Sequence, residues 1–226
     1  EKLEEVRYAR MDRKQQKLYD GQVVLMKNEL TDSNDEDFRR HKIEVLAELT
    51  RIRQICCDPS VCFSDYSGGS AKREACMDLV RSLHESGHKM LLFSQFTSIL
   101  ALLEKDLEEE GLSFYKITGN TPKEKRLAMV NAFNEDDTPV FLISLKAGGT
   151  GLNLTGADAV IHFDPWWNVA AQNQATDRAH RIGQTRIVTV YKLIMKDTIE
   201  EKILKMQEAK QQLADDILSG EGISSS

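Results

Sequence analysis

Gln174, Arg178 and Arg181 stand at i, i+4 and i+7 within the stretch QATDRAHRIGQ (174–184), and Gly183 is placed to end a helix there. Read as one helix, this spacing predicts an amide and two guanidiniums on a single face. A guanidinium is a planar fork that can give two parallel charge-assisted hydrogen bonds to phosphate oxygens, so two forks on one rigid face suit a polyphosphate. The same residues also allow a plainer use, in which Asp177 pairs with Arg181 at i, i+4 on a solvated face for a few tenths of a kcal/mol.

A second cluster lies upstream, where the apolar run 140–143 leads into SLKAGGTGLNL (144–154). Gly148, Gly149 and Gly151 let the backbone turn tightly and approach a ligand, leaving amides free to hold anions. An ordinary strand-to-helix turn would use the same residues. Two further apolar runs end in comparable groups: Ser94-Gln95 after one, Thr118-Gly119-Asn120-Thr121 after the other, with Lys146 in the glycine stretch. Hydroxyls, amides, glycines and a lysine at such ends can contact a phosphodiester backbone without reading bases. Helix capping is the competing use, and for Thr121, directly before Pro122, it is the favoured one. Trp166 and Trp167 are the only tryptophans. One is expected to anchor its loop in the core, leaving the other open to stack on or insert into a partner.

The elements that must position these groups follow from periodicity. Residues 6–30 and 41–56 read as two helices, the second stopping before Asp58-Pro59, and 59–70 with its SGGS reads as a linker. From residue 72 onward, helical and strand-like segments alternate: helix 72–85, strand 89–93, helix 97–109, strand 113–117, helix 122–133 and strand 140–143. Strand 159–163, helix 171–182 and strand 187–193 continue the series, and a helix at 198–218 with a fraying tail closes it. Short apolar strands separated by helices imply an α/β fold, a parallel sheet covered on both faces, with ligands at the strands' carboxyl ends. The expected organisation is a helical extension over 1–70, the α/β domain over 71–196, and a closing helix and tail over 197–226.

Composition narrows the functions. The chain has 226 residues and a formal net charge of -6, so binding to nucleic acid must use a local patch rather than bulk charge. No apolar run approaches a membrane span and the charged opening EKLEEVRYARMDRKQ resembles no secretory leader, so a membrane is not an expected partner and the expected place of work is inside the cell. The opening reads as the middle of a longer chain. Cys56, Cys57, Cys62 and Cys76 form no CxxC pair, which leaves buried thiols as the default and no expected metal site. There is no HExxH, no GxSxG and no GxxxxGK(S/T), nor an Asp-Glu pair placed after a strand to hold magnesium. An arginine face without a P-loop suggests half of a composite phosphate site.

The combination LLFSQF, GNTPKEKR, FLISLKAGGTGLNLTGADAVIHFD, WWN and QATDRAHRIGQ resembles the C-terminal RecA-like lobe of SWI/SNF-type helicase-like ATPases, which are DNA translocases, over essentially the whole chain. That resemblance implies a RecA-like sheet with an inter-lobe helical extension and a closing brace helix. It implies that Arg178 and Arg181 are arginine fingers for the γ-phosphate of ATP, bound with Mg2+ mainly by a preceding lobe. Gln174, Gly149 and Gly151 would belong to the nucleotide interface, and Ser94, Gln95, Gly119, Lys146 and Trp167 would contact DNA. The implied partners are the N-terminal lobe of the same polypeptide, double-stranded DNA without sequence preference, and a DNA-bound protein substrate, in the nucleoid or the nucleus. Two positions depart from the family pattern: Asp58 replaces a histidine, and Val169 stands where many members carry proline. The expected function is the second motor lobe of an ATP-driven DNA translocase, inactive alone and with its fingers exposed. A catalytically inactive DNA- or protein-binding module is the alternative.

Overall fold

The computed structural model describes residues 2–31, 38–144, 152–179 and 184–220. Its elements in chain order are β1 (Lys2–Ala9), α1 (Arg13–Thr31), α2 (Phe38–Cys57), α3 (Ala71–Glu85), β2 (Met90–Ser94), α4 (Thr97–Glu109), β3 (Phe114–Ile117), α5 (Lys123–Glu135), β4 (Val140–Ser144), β5 (Ala159–His162), α6 (Val169–Thr176), β6 (Val188–Met195) and α7 (Ile199–Ser219). Among the described residues all six strands are parallel, in the order β1-β6-β5-β2-β4-β3.

Alternate side chains of each strand face opposite layers. Met90 and Leu92 join Leu142 and Ile161 in a core shared with α3 and α4. Leu91 and Phe93 join Phe141, Ile143 and Val160 in a second core with Val130 and Phe133 of α5 and Ala175 of α6. Strands covered on both faces need apolar residues at every position, which is why MLLFS and VFLIS read as unbroken hydrophobic runs. The expected α/β sheet with helices on both sides is therefore present.

The amino-terminal segment differs from the expectation of one helix over 6–30. Residues 2–9 form β1, an edge strand parallel to β6, and α1 begins only at Arg13. The half-buried positions of β1 are Lys2, Val6 and Ala9, a spacing that imitates one face of a helix. The overlooked local signal was Asp12, whose carboxylate accepts the Gln15 N–H at 2.8 Å as an N-cap does. Within the α1–α2 hairpin Gln15 donates to the Ile55 and Cys56 carbonyls of α2, and Tyr19, whose hydroxyl accepts the Ile199 N–H, ties α1 to α7. Cys56, Cys57 and Cys76 are buried as expected, and burial pushes their thiols up, so they stay protonated and inert, whereas Cys62 is only half-buried.

Candidate functional site

The strand order reverses about β2, whose neighbours β4 and β5 lead away in opposite directions, so the crevice for a ligand opens beyond Ser94, Ser144 and the residues after His162. At this edge Ser94 Oγ donates to Asp164 Oδ1 at 2.6 Å, and the Gln95 N–H and Nε2 donate to Asp164 Oδ2 at 3.2 and 3.0 Å. Burial pushes the Asp164 carboxyl up, against the opposing pull of the Ser94 hydroxyl, Lys72 and Arg53. Ser94 was expected to touch DNA, but its side chain is buried and engaged with Asp164. Its place is behind the crevice, where it fixes the loop that follows β5.

The next strand end is a tight turn, with Thr121 N–H donating to the Thr118 carbonyl at 3.1 Å. Thr121 Oγ1 accepts the Thr118 N–H instead of capping α5, whose N-cap is Pro122. Arg126 reaches back from α5 to the Thr118, Gly119 and Thr121 carbonyls, which holds Gly119 at the exposed tip. Lys146, Gly149 and Gly151 lie outside the described residues. The chain after them is pinned to α5: Asn134 donates to the Asn153 carbonyl and accepts the Gly156 N–H. A Cβ on Gly156 would lie 2.9 Å from the Asn134 Cα, so only glycine allows this approach.

The tryptophans divide as expected. Trp166 is 2% exposed and Trp167 38%. Trp166 packs edge-on against Phe93 and His162. His162 is itself buried, stacked on Phe93 at 5.4 Å, with Nε2 at 3.0 Å from Thr176 Oγ1. Burial lowers its pKa from 6.5 to about 3. A base whose folded pKa is depressed leaves the unfolded chain binding more protons below 6.5. This histidine therefore removes up to about 1.4 kcal/mol of stability per unit as pH falls from about 6.5 towards 3. An NMR titration is expected to find the His162 imidazole neutral down to about pH 4; a midpoint near 6.5 would contradict this placement.

The arginine segment departs from the expected single helix. α6 stops at Thr176, and the Arg178 and Ala179 N–H groups make i to i−3 turns to the Ala175 and Thr176 carbonyls. The i, i+4 face joining Gln174 to Arg178 is therefore not formed: Gln174 is exposed, whereas Arg178 is 5% exposed rather than open to solvent. The cause is tertiary, since Leu154 N–H donates to the Arg178 carbonyl at 2.9 Å and Ala175 and Ala179 belong to the core under β5 and β6. Downstream, Gln184 Nε2 donates to the Thr155, Ala157 and Ala179 carbonyls. Arg178 and Gln184 are thus each held to the domain, and Arg181 lies outside the described residues.

Residues 71–183 match the family model described as the helicase conserved C-terminal domain. A putative ATP-dependent helicase/translocase YwqA from Bacillus subtilis is 38% identical over 98% of this chain, which spans 24% of that protein. Helicase swr-1 from Neurospora crassa is 43% identical over 67% of the chain, which covers 8% of it. Among solved structures, the Sulfolobus solfataricus SWI2/SNF2 ATPase core in complex with dsDNA superposes with a TM-score of 0.81 at 30% identity, over 97% of this chain and 46% of that one. The SWI2/SNF2 ATPase C-terminal domain from the same organism gives 0.79 at 28% identity, over 96% and 90%. The chain belongs to the helicase conserved C-terminal domain family. It is the C-terminal lobe of an SNF2-type helicase, with that lobe's RecA-like fold.

Both family departures have local reasons in this lobe. Asp58 accepts the Ser60 N–H at the start of a single 3-10 turn and pairs with Arg73, which also grips Asp106. Val169 is the first residue of α6 after the N-cap Asn168, a position where proline's preset φ helps but is not required. Sequence reasoning missed the buried ionic cluster behind the crevice. Lys72 on α3 lies 2.5 Å from Glu200 on α7, and Lys72 and Arg53 both act on Asp164. Arg53 donates to the Pro165 carbonyl and lies over the Trp167 ring at 5.7 Å. No local pattern marks these residues as buried.

Proposed function

We propose that this lobe is the second half of an ATP-dependent double-stranded DNA translocase, and that it completes a composite site whose P-loop lies in a preceding lobe. The observation that carries this reading is the likeness along 97% of the chain to a two-lobe SWI2/SNF2 core solved with dsDNA, of which the chain accounts for 46%. Residues 1–70 then serve as the inter-lobe extension, with 2–9 pairing back onto the lobe's sheet as β1, 71–196 as the motor lobe and 197–226 as the brace and tail.

In this reading Arg181 and Arg178 supply positive charge to the γ-phosphate, with Gln174, Gly149 and Gly151 at the same nucleotide interface. ATP and Mg2+ are held mainly by the other lobe, where the metal offsets phosphate charge. Here the fit is one of cations: both ends of the 178–184 segment are anchored to fixed carbonyls and amides, which suits a group that must meet a phosphate on lobe closure. Gln95, Gly119, Lys146 and Trp167 grip the DNA backbone at the strand ends, and Ser94 supports them from behind. Backbone contacts keep such a motor indifferent to sequence, and alternate closing and opening of the lobes advances the grip. The same polypeptide would act on DNA-bound proteins and work wherever its DNA is housed.

The test compares the isolated chain with the polypeptide that also carries the P-loop lobe. The longer protein is expected to hydrolyse ATP faster when duplex DNA is added, the isolated chain to show no turnover. Robust hydrolysis by the chain alone would end the composite-site reading.

A further inference from the structure

Beyond Phe163, whose N–H donates to the Phe93 carbonyl, the loop between β5 and α6 is held by side chains. Gln172 on α6 accepts the Trp166 N–H on Oε1 at 3.1 Å. Gln207 on α7 donates from Nε2 to the Trp166 carbonyl and, at 2.9 Å, to Gln172 Oε1. One residue earlier, the Pro165 carbonyl takes Gln95 Nε2 at 2.8 Å and an Arg53 guanidinium nitrogen at 3.2 Å. Gln172, Gln207 and Trp166 are all buried, whereas the next residue, Trp167, presents its ring to solvent.

A buried amide in an otherwise amphipathic helix is costly unless its hydrogen bonds are made. Gln207 Oε1 has no partner among the described residues, so the amide is kept for its Nε2, which satisfies the buried Trp166 carbonyl and Gln172 Oε1. What glutamine does, and methionine cannot, is hold both the Trp166 carbonyl and Gln172.

We propose that Gln207 is a positioning residue: from α7 it fixes Trp166 so that Trp167 is presented to DNA in one orientation. Through Gln172 it joins that loop to the helix leading into Arg178 and Arg181. An aromatic group ordered before contact loses less freedom on binding, so the effect belongs in DNA affinity rather than in chemistry. The inference rests on the DNA-contact role proposed above for Trp167.

The test uses the polypeptide carrying both lobes and measures ATP turnover against duplex concentration for Gln207→Met, Trp167→Ala and the double variant. Gln207→Met is expected to raise the half-saturating duplex concentration about tenfold with turnover at saturating DNA nearly unchanged. The double variant is expected to be no worse than the worse single, because both changes remove one function. Additive shifts, or a Gln207→Met variant with unaltered DNA dependence, would overturn the positioning role while leaving the Trp167 contact standing. Unaltered DNA dependence in Trp167→Ala would overturn both. Should thermal melting show Gln207→Met unfolded, Gln172→Met removes the other arm of the same junction and is read by the same criteria.

Discussion

In a polypeptide that joins this lobe to its P-loop partner, Arg181→Ala is expected to slow DNA-stimulated ATP hydrolysis by roughly three to five orders of magnitude while ATP still binds. The size follows from phosphoryl transfer, in which the protein does little covalent work and much charge stabilisation. A finger that meets the γ-phosphate only on closure lowers the barrier without tightening the ground state, so the loss belongs in turnover rather than in ATP affinity. Arg181→Lys keeps the charge but loses the planar fork and should recover only part of the rate. Arg178→Ala is expected to cost turnover as well, with a lowered melting temperature in addition, because this side chain is packed against the core. Steady-state hydrolysis at saturating duplex, read beside binding of a fluorescent ATP analogue, separates these effects. An Arg181→Ala protein that binds ATP and turns over at the normal rate would remove the finger assignment.

The second large effect is on stability. Lys72 is 0% exposed and its ammonium lies 2.5 and 2.7 Å from the two carboxylate oxygens of Glu200, over the Phe163 ring. Burial pulls the Lys72 pKa down, but the attraction of Glu200 outweighs it and holds the group above its ordinary value. Burial likewise pushes the Glu200 carboxyl up, with Lys72 opposing. Removing one partner strands the other charge in the interior, so Lys72→Met is expected to cost about 3–5 kcal/mol. Lys72→Met with Glu200→Gln removes both charges, keeps an acceptor for the Met195 N–H, and should recover most of that loss. The sign of the pH dependence is fixed by the same chemistry. Without Lys72, the Glu200 carboxyl rises further above 4.5, so relative to the parent the single variant is least destabilised below that pH and loses further stability as pH climbs through the folded value. Melting temperatures of both variants across pH measure this directly. A Lys72→Met protein as stable as the parent at every pH would show that the pair anchors nothing.

The same cluster marks how far local reading reaches. Apolar runs such as MLLFS and VFLIS, separated by amphipathic helices, were enough for a parallel sheet covered on both faces, because strand and helix periodicities are set within a few residues. The division between an anchoring and an exposed tryptophan was legible for a similar reason: two adjacent side chains leaving a strand end rarely both fit one core. The helix expected over 6–30 starts too early because its apolar spacing lies beyond residue 13, and only pairing with β6, almost the whole chain away, makes residues 2–9 a strand.

By itself, then, the sequence determined the fold class, the absence of a P-loop, and the residue types gathered at the carboxyl ends of the strands. Tertiary structure alone decided that Ser94 turns inward to Asp164, that Arg178 is packed rather than open, and that Gln207 holds the tryptophan loop. It also decided that Lys72 and Glu200, 128 residues apart, meet in the interior. Lysine and glutamate are surface residues by default, and what overrides that default is the partner that arrives only when the chain has folded.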